Sequence, residues 1–175
     1  MKRFLQILGF AAASVTFAAA SAELFVNEQN VGTFYRDFTR LTKRPHLVSP
    51  LTSTLCTTPS RAMEEQEGKK TGPHYKARVH IYANPVALPA IAERMTQFPV
   101  GAIVVKEKLG DGDKVAGIGG MIKRAAGYDP PNGDWEYFYY EGPDSLTTGR
   151  ISSCIECHRS ARSTDYVYSV WSLGE

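Results

Sequence analysis

Apolar positions in residues 32–41, GTFYRDFTRL, fall at Phe34, Phe38 and Leu41. Steps of four and then three line one face of a helix. Arg36, Asp37 and Arg40 fall elsewhere on the wheel. From residue 42 to 72 the pattern dissolves into Pro, Ser, Thr, Lys and Glu. That stretch predicts a long connection with one short polar helix near 61–67, and a loop of this length in a small domain is often functional. Alternation then takes over. In KARVHIYA, residues 76–83, Ala77, Val79 and Ile81 share one face and Arg78, His80 and Tyr82 the other. Asn84-Pro85 marks a turn, and Pro89 suits the first position of a short helix reaching about Gln97. Residues 100–109, VGAIVVKEKL, predict a second strand, GDGD at 110–113 a hairpin, and 115–126 a returning strand. Gly117, Gly119 and Gly120 inside that strand point to a bulge or to close approach of the backbone to something flat. After the turn cluster YDPPNGD, residues 135–141, WEYFYYE, read as a strand with aromatics on both faces. A strand apolar on both sides is covered on both sides. Adjacent strands joined by tight turns give an α+β class, an antiparallel sheet with helices packed against it.

The start of the chain predicts an exported domain, and its charge adds no sign of a nucleic-acid partner. Met1, Lys2 and Arg3 form a basic head, an apolar run extends to about Ala20, and Ala20-Ser21-Ala22 closes it. This is the pattern of a secretory signal peptide, so residues 1–22 are expected to be removed and the mature domain to run from 23 to 175, periplasmic or otherwise exported. An uncleaved anchor fits less well, because the run is Ala-rich and Leu-poor. No later stretch approaches the ~20 apolar residues of a spanning helix, so the mature chain is expected to carry no membrane span. Losing Lys2 and Arg3 leaves 18 basic against 18 acidic residues, and no basic patch argues for nucleic acid. Nine Tyr, eight Phe and two Trp suit a packed core, and they equally suit the wall of a large planar cofactor.

The chemistry sits near the C-terminus. Residues 152–161, SSCIECHRSA, contain C-x-x-C-H, which reads as a c-type haem attachment site. On a helix, Cys154, Cys157 and His158 occupy i, i+3 and i+4 and share a face. The thiols would make two thioethers to one haem c, and His158 would bind its iron. A redox disulfide or half a zinc site are the other readings of C-x-x-C. The adjacent histidine and the export signal favour haem, and His46, His74 and His80 lie far upstream without paired spacing. The third cysteine, Cys56, is left over, as a small buried residue or as a reactive or intermolecular thiol. Only 17 residues follow His158, and none is methionine. A methionine sixth ligand would have to reach back from Met63, Met95 or Met121, each of which also serves as a core filler. An open iron position suits small-ligand chemistry, whereas methionine ligation suits electron transfer.

Five stretches together resemble the cytochrome P-460 family, which includes the beta-type cytochromes c prime. They are YRDF at 35–38, VHIYAN at 79–84, FPVGAIVVKEKL at 98–109, AGYDPPNGDWEYFYYE at 126–141 and CIECHRSARSTDYVY at 154–168. The resemblance spans nearly the whole mature chain. Cytochromes c prime of the helical-bundle kind also end on the motif, but the strands at 76–83 and 135–141 do not fit a bundle. The resemblance implies an antiparallel sheet fold, one covalent haem c, five-coordinate iron bound by His158 and, for many members, a homodimer. It also implies two branches. One oxidises hydroxylamine and carries a lysine cross-linked to the haem macrocycle. The other binds nitric oxide or carbon monoxide behind an apolar cap.

The sequence leaves the branch open. Lys76, Lys106, Lys108 and Lys123 lie in strand regions where a cross-link could form, and each could equally be a solvated surface lysine. Glu107 lies in the strand where the enzymes of the family carry a distal carboxylate, and there it could accept protons from a bound amine. It could instead pair with a lysine across the sheet. Arg36 is a weaker charged candidate for the same side. The expected function is an exported haem c protein that binds or transforms a small gaseous or nitrogenous ligand, serving an unidentified redox partner protein. The alternative is a six-coordinate electron carrier.

Overall fold

The alternating strands build one sheet, and the computed structural model describes it in residues 25–48, 61–62, 65–66 and 77–168. The expected signal peptide, Cys56, Met63, His74 and Lys76 lie outside the described residues. The sheet contains β1 (Thr39–Arg40), β2 (His46–Leu47), β3 (Arg78–Ala83), β4 (Ile103–Leu109), β5 (Val115–Lys123), β6 (Trp135–Tyr140) and β7 (Thr147–Gly149). Its order is β1-β3-β4-β5-β6-β7, with β2 also on the edge of β3, and every pairing is antiparallel. Among the described residues α1 (Leu88–Ala92), α2 (Ser152–His158) and short 3-10 turns accompany it, in keeping with an α+β class. No described helix is long and apolar enough to cross a membrane.

Register decides which side chains meet. Ala83, Val104, Met121 and Tyr137 lie in one row across four strands, and Ile81, Lys106, Gly119 and Tyr139 in the next. These rows share one face, on which α1, Phe98, Ile155, Tyr166 and Val167 pack. The opposite face carries Val105, Ile118, Ile122 and Phe138 and is covered by Val31, Tyr35, Phe34 and Phe38. β6 therefore sends Trp135 and Tyr137 into one layer and Phe138 into the other, which accounts for its aromatics on both sides.

Two expectations shift, and two hold. Residues 32–41 form a succession of turns, not a regular helix. Phe34 N–H bonds back four residues to Asn30, but Thr33, Arg36 and Phe38 reach back only three. The Asn27 side chain accepts from the backbone of Gln29 and Asn30, so local bonds compete with a helical start. Phe34 and Phe38 join one core and Leu41 the other, because the chain leaves to pair as β1. The helix at Pro89 ends at Ala92, where Arg94 turns left-handed at φ 52°. The glycine-rich strand approaches a ring: a Cβ at Gly120 would overlap Phe138 and come within 2.7 Å of the Val104 carbonyl. The short polar helix is represented by helical residues 61, 62, 65 and 66, with an Arg61–Glu65 ion pair.

Candidate functional site

α2 docks by burying Ile155 against the sheet, and its 3.6-residue period brings Cys154 and His158 round towards the same rows. A cleft between α2 and the sheet is lined by Cys154 and His158 on one side and by Lys106, Gly119, Met121, Tyr137 and Tyr139 on the other. Cys154 and Cys157 are free thiols. Burial pushes the Cys154 thiol up. His158 is 9% exposed, its ring 5.2 Å from Tyr137 and 5.3 Å from Tyr168 between centroids. Its Nδ1 lies 2.6 Å from the Tyr166 carbonyl oxygen. A carbonyl can only accept, so Nδ1 carries the proton and Nε2 is the free acceptor nitrogen. Burial, helped by the Lys106 ammonium, holds His158 down at about 4, against the opposing pull of the Tyr166 bond. At neutral pH its ring is therefore uncharged.

Lys106 enters this cleft because strand alternation aims it at α2. Its amine lies 5.7 Å from the centre of the Tyr168 ring, and withdrawal from water lowers its pKa. The other two candidate lysines among the described residues are engaged elsewhere. Lys108 pairs with Glu141 at 3.3 Å, and Lys123 with Asp165 at 2.6 Å. The same alternation puts Glu107 on the far face. Its carboxylate accepts the Tyr35 hydroxyl at 2.7 Å and the Tyr82 hydroxyl at 2.9 Å. Among the described residues it joins neither His158 nor a lysine and does not line the cleft, so the expected distal carboxylate is not brought there. Arg36 is exposed and donates to the Gly32 carbonyl at 3.2 Å. Met121 lines the cleft, whereas Met95 is 42% exposed. His80 faces away and its Nδ1 meets the Thr42 hydroxyl at 3.0 Å.

Sequence reasoning passed over Tyr137 as a site residue. Its hydroxyl is buried and is the one such side-chain atom without a hydrogen-bond partner among the described residues. The signal was present in WEYFYYE, where Trp135, Tyr137 and Tyr139 alternate towards one face. His46 was also passed over. It pairs with Val79 in the site-face register, and burial and the Lys106 ammonium both lower its pKa.

Residues 58–169 match the family model described as Cytochrome P460, a span that covers β3 to β7 and α2. No curated protein matches the chain. The chain therefore belongs to the cytochrome P460 family, and that membership implies that it binds haem.

Proposed function

We propose that this is an exported c-type cytochrome with one haem, tethered by Cys154 and Cys157 and bound at iron by His158 Nε2, that takes up or transforms a small nitrogen species such as nitric oxide or hydroxylamine. One observation carries the reading. Cys154 and His158 of α2 both line the cleft, the free Cys157 thiol lies on the same helix 3.4 Å from the Tyr168 hydroxyl, and His158 already spends Nδ1 on a backbone carbonyl at 2.6 Å. Haem c requires two thiols to form thioethers with its vinyl groups and a neutral imidazole to bind its iron. The cleft suits a flat group in two further ways. Gly119 leaves the sheet floor bare between Lys106 and Tyr139, and the buried Tyr137 hydroxyl lacks a polar partner. Haem supplies the redox centre and the coordination position for the ligand.

The chain's own residues shape what can happen there. Val104 and Met121 make part of the cleft wall apolar, which favours an uncharged ligand. Lys106 is the described candidate for a lysine cross-link, since lowering its pKa raises the share of neutral, nucleophilic amine. Met121 motivates a second reading, in which its sulfur closes the sixth position and the protein carries electrons.

Intact mass and the ferrous optical spectrum, taken with and without nitric oxide, separate these readings. One added haem and a spectrum that changes with nitric oxide are expected. A low-spin spectrum indifferent to nitric oxide would favour the electron carrier. A mass without haem would remove the proposal. A peptide joining Lys106 to haem, lost in Lys106→Arg, would mark the hydroxylamine-oxidising branch, and N-terminal sequencing should begin at Glu23.

A further inference from the structure

Asp165 and Tyr166 are consecutive and both left-handed, with φ 51° and 65°. Single non-glycine residues visit this region, but a pair that includes an aromatic needs its surroundings to impose it. The surroundings are unusually complete. Asp165 Oδ2 accepts the Phe98 N–H at 2.7 Å. Lys123 Nζ donates to both carboxylate oxygens, at 2.6 and 2.9 Å. The Asp165 carbonyl accepts the Trp135 indole N–H at 2.8 Å. Tyr166 N–H donates to the Ala161 carbonyl at 2.8 Å, and its hydroxyl to the Pro131 carbonyl at 2.9 Å. Gly133 packs so closely that a Cβ there would lie 2.6 Å from the Tyr166 ring.

The Lys123 and Asp165 side chains are only 12% and 7% exposed, and neither lines the cleft. Burying two charges is costly, and such a pair is weak evidence for stability alone. What the turn delivers is a single atom. The Tyr166 carbonyl oxygen is set 2.6 Å from His158 Nδ1.

We propose that Lys123 and Asp165 are positioning residues for His158: their buried ion pair locks the 165–166 turn so that the Tyr166 carbonyl holds His158 by Nδ1–H and would strengthen Nε2 as a donor to haem iron. A partner on the remote ring nitrogen fixes the tautomer and ring orientation of a metal-bound histidine and raises its basicity. A stronger histidine donor would favour the oxidised metal, so with haem bound the pair would keep the reduction potential low. This inference rests on His158 being the iron ligand. That premise is tested separately by His158→Ala, whose ferric spectrum would match wild type if another residue held the iron.

The test uses haem-loaded Asp165→Asn and Lys123→Met. Asparagine keeps the size and the tolerance for a left-handed backbone but loses the charge. In both variants the iron–histidine stretching band of the ferrous protein should move to lower frequency and the midpoint potential should rise, with haem content unchanged. Lys123→Arg, which keeps the pair, should return both readouts towards wild type. A purely structural role would lower thermal stability and leave band and potential in place, and that result would overturn the proposal. Should Asp165→Asn fail to accumulate, Lys123→Met set against Lys123→Arg carries the same comparison.

Discussion

Lys106 and Glu107 are neighbours in the chain and belong to opposite sides of the molecule. Their separation follows from the period of two in β4, which the sequence displays, together with the side on which α2 packs, which it does not. Both polar residues interrupt an apolar strand, so pattern alone cannot say which one meets the motif. That Cys154 and His158 share a face of one helix is legible in the sequence, because i, i+4 spacing fixes it whatever surrounds the helix. For Glu107 the structural placement changes the expectation. Two tyrosine hydroxyls donate to its carboxylate, and removing the charge should cost about 1.5–3 kcal/mol of stability, the range for charged hydrogen bonds. Glu107→Gln is expected to show that loss in denaturant unfolding while leaving the haem spectrum, nitric oxide binding and any hydroxylamine turnover unchanged. A turnover loss of ~10²-fold, the usual size of a general-base effect, would restore the distal role.

Elements were legible where side chains impose a period and obscure where partners do. β3 to β6 appear at their expected places, since alternating Val, Ile and aromatic residues have few other solutions. Residues 32–41 carry an apolar spacing that suits a helix, yet Asn27 and Asn30 form turns and the chain joins the edge of β3. The left-handed pair at 165–166 left no trace in sequence, because nothing local asks for it and its bonds come from Phe98, Lys123 and Trp135. β5 offers a test of how tightly elements are matched. The missing Cβ at Gly120 accommodates the Phe138 ring from β6. Gly120→Ala should cost about 1–3 kcal/mol, as overpacking does in well-filled cores, and it should lower the unfolding midpoint in urea without changing the slope. An unchanged midpoint would mean that the two strands adjust freely.

At the scale of the whole molecule, the sheet is a partition. One face receives α2 and the cleft, and the other is closed by residues 25–38. The family match begins at residue 58, so this second cover lies before the matched span. A motif placed last in the chain can dock onto a sheet whose strands all precede it, with the upstream strands forming the wall opposite His158. The partition predicts that stability and haem environment can be perturbed separately. Tyr35 is 2% exposed, sits among Phe34 and Tyr82, and touches only the far face. Tyr35→Ala would open a cavity there at a cost of about 3–5 kcal/mol, by analogy with other large aromatic truncations. For a domain of this size each kcal/mol lowers the melting temperature by about 2–4 °C, so a fall of roughly 6 °C or more is expected in calorimetry. The ferric and ferrous spectra at room temperature should match wild type, because Val105, Ile118 and Phe138 stand between the cavity and the cleft. A shifted spectrum with an unchanged melting temperature would show the reverse, a sheet that transmits changes from its far face to His158 without loosening.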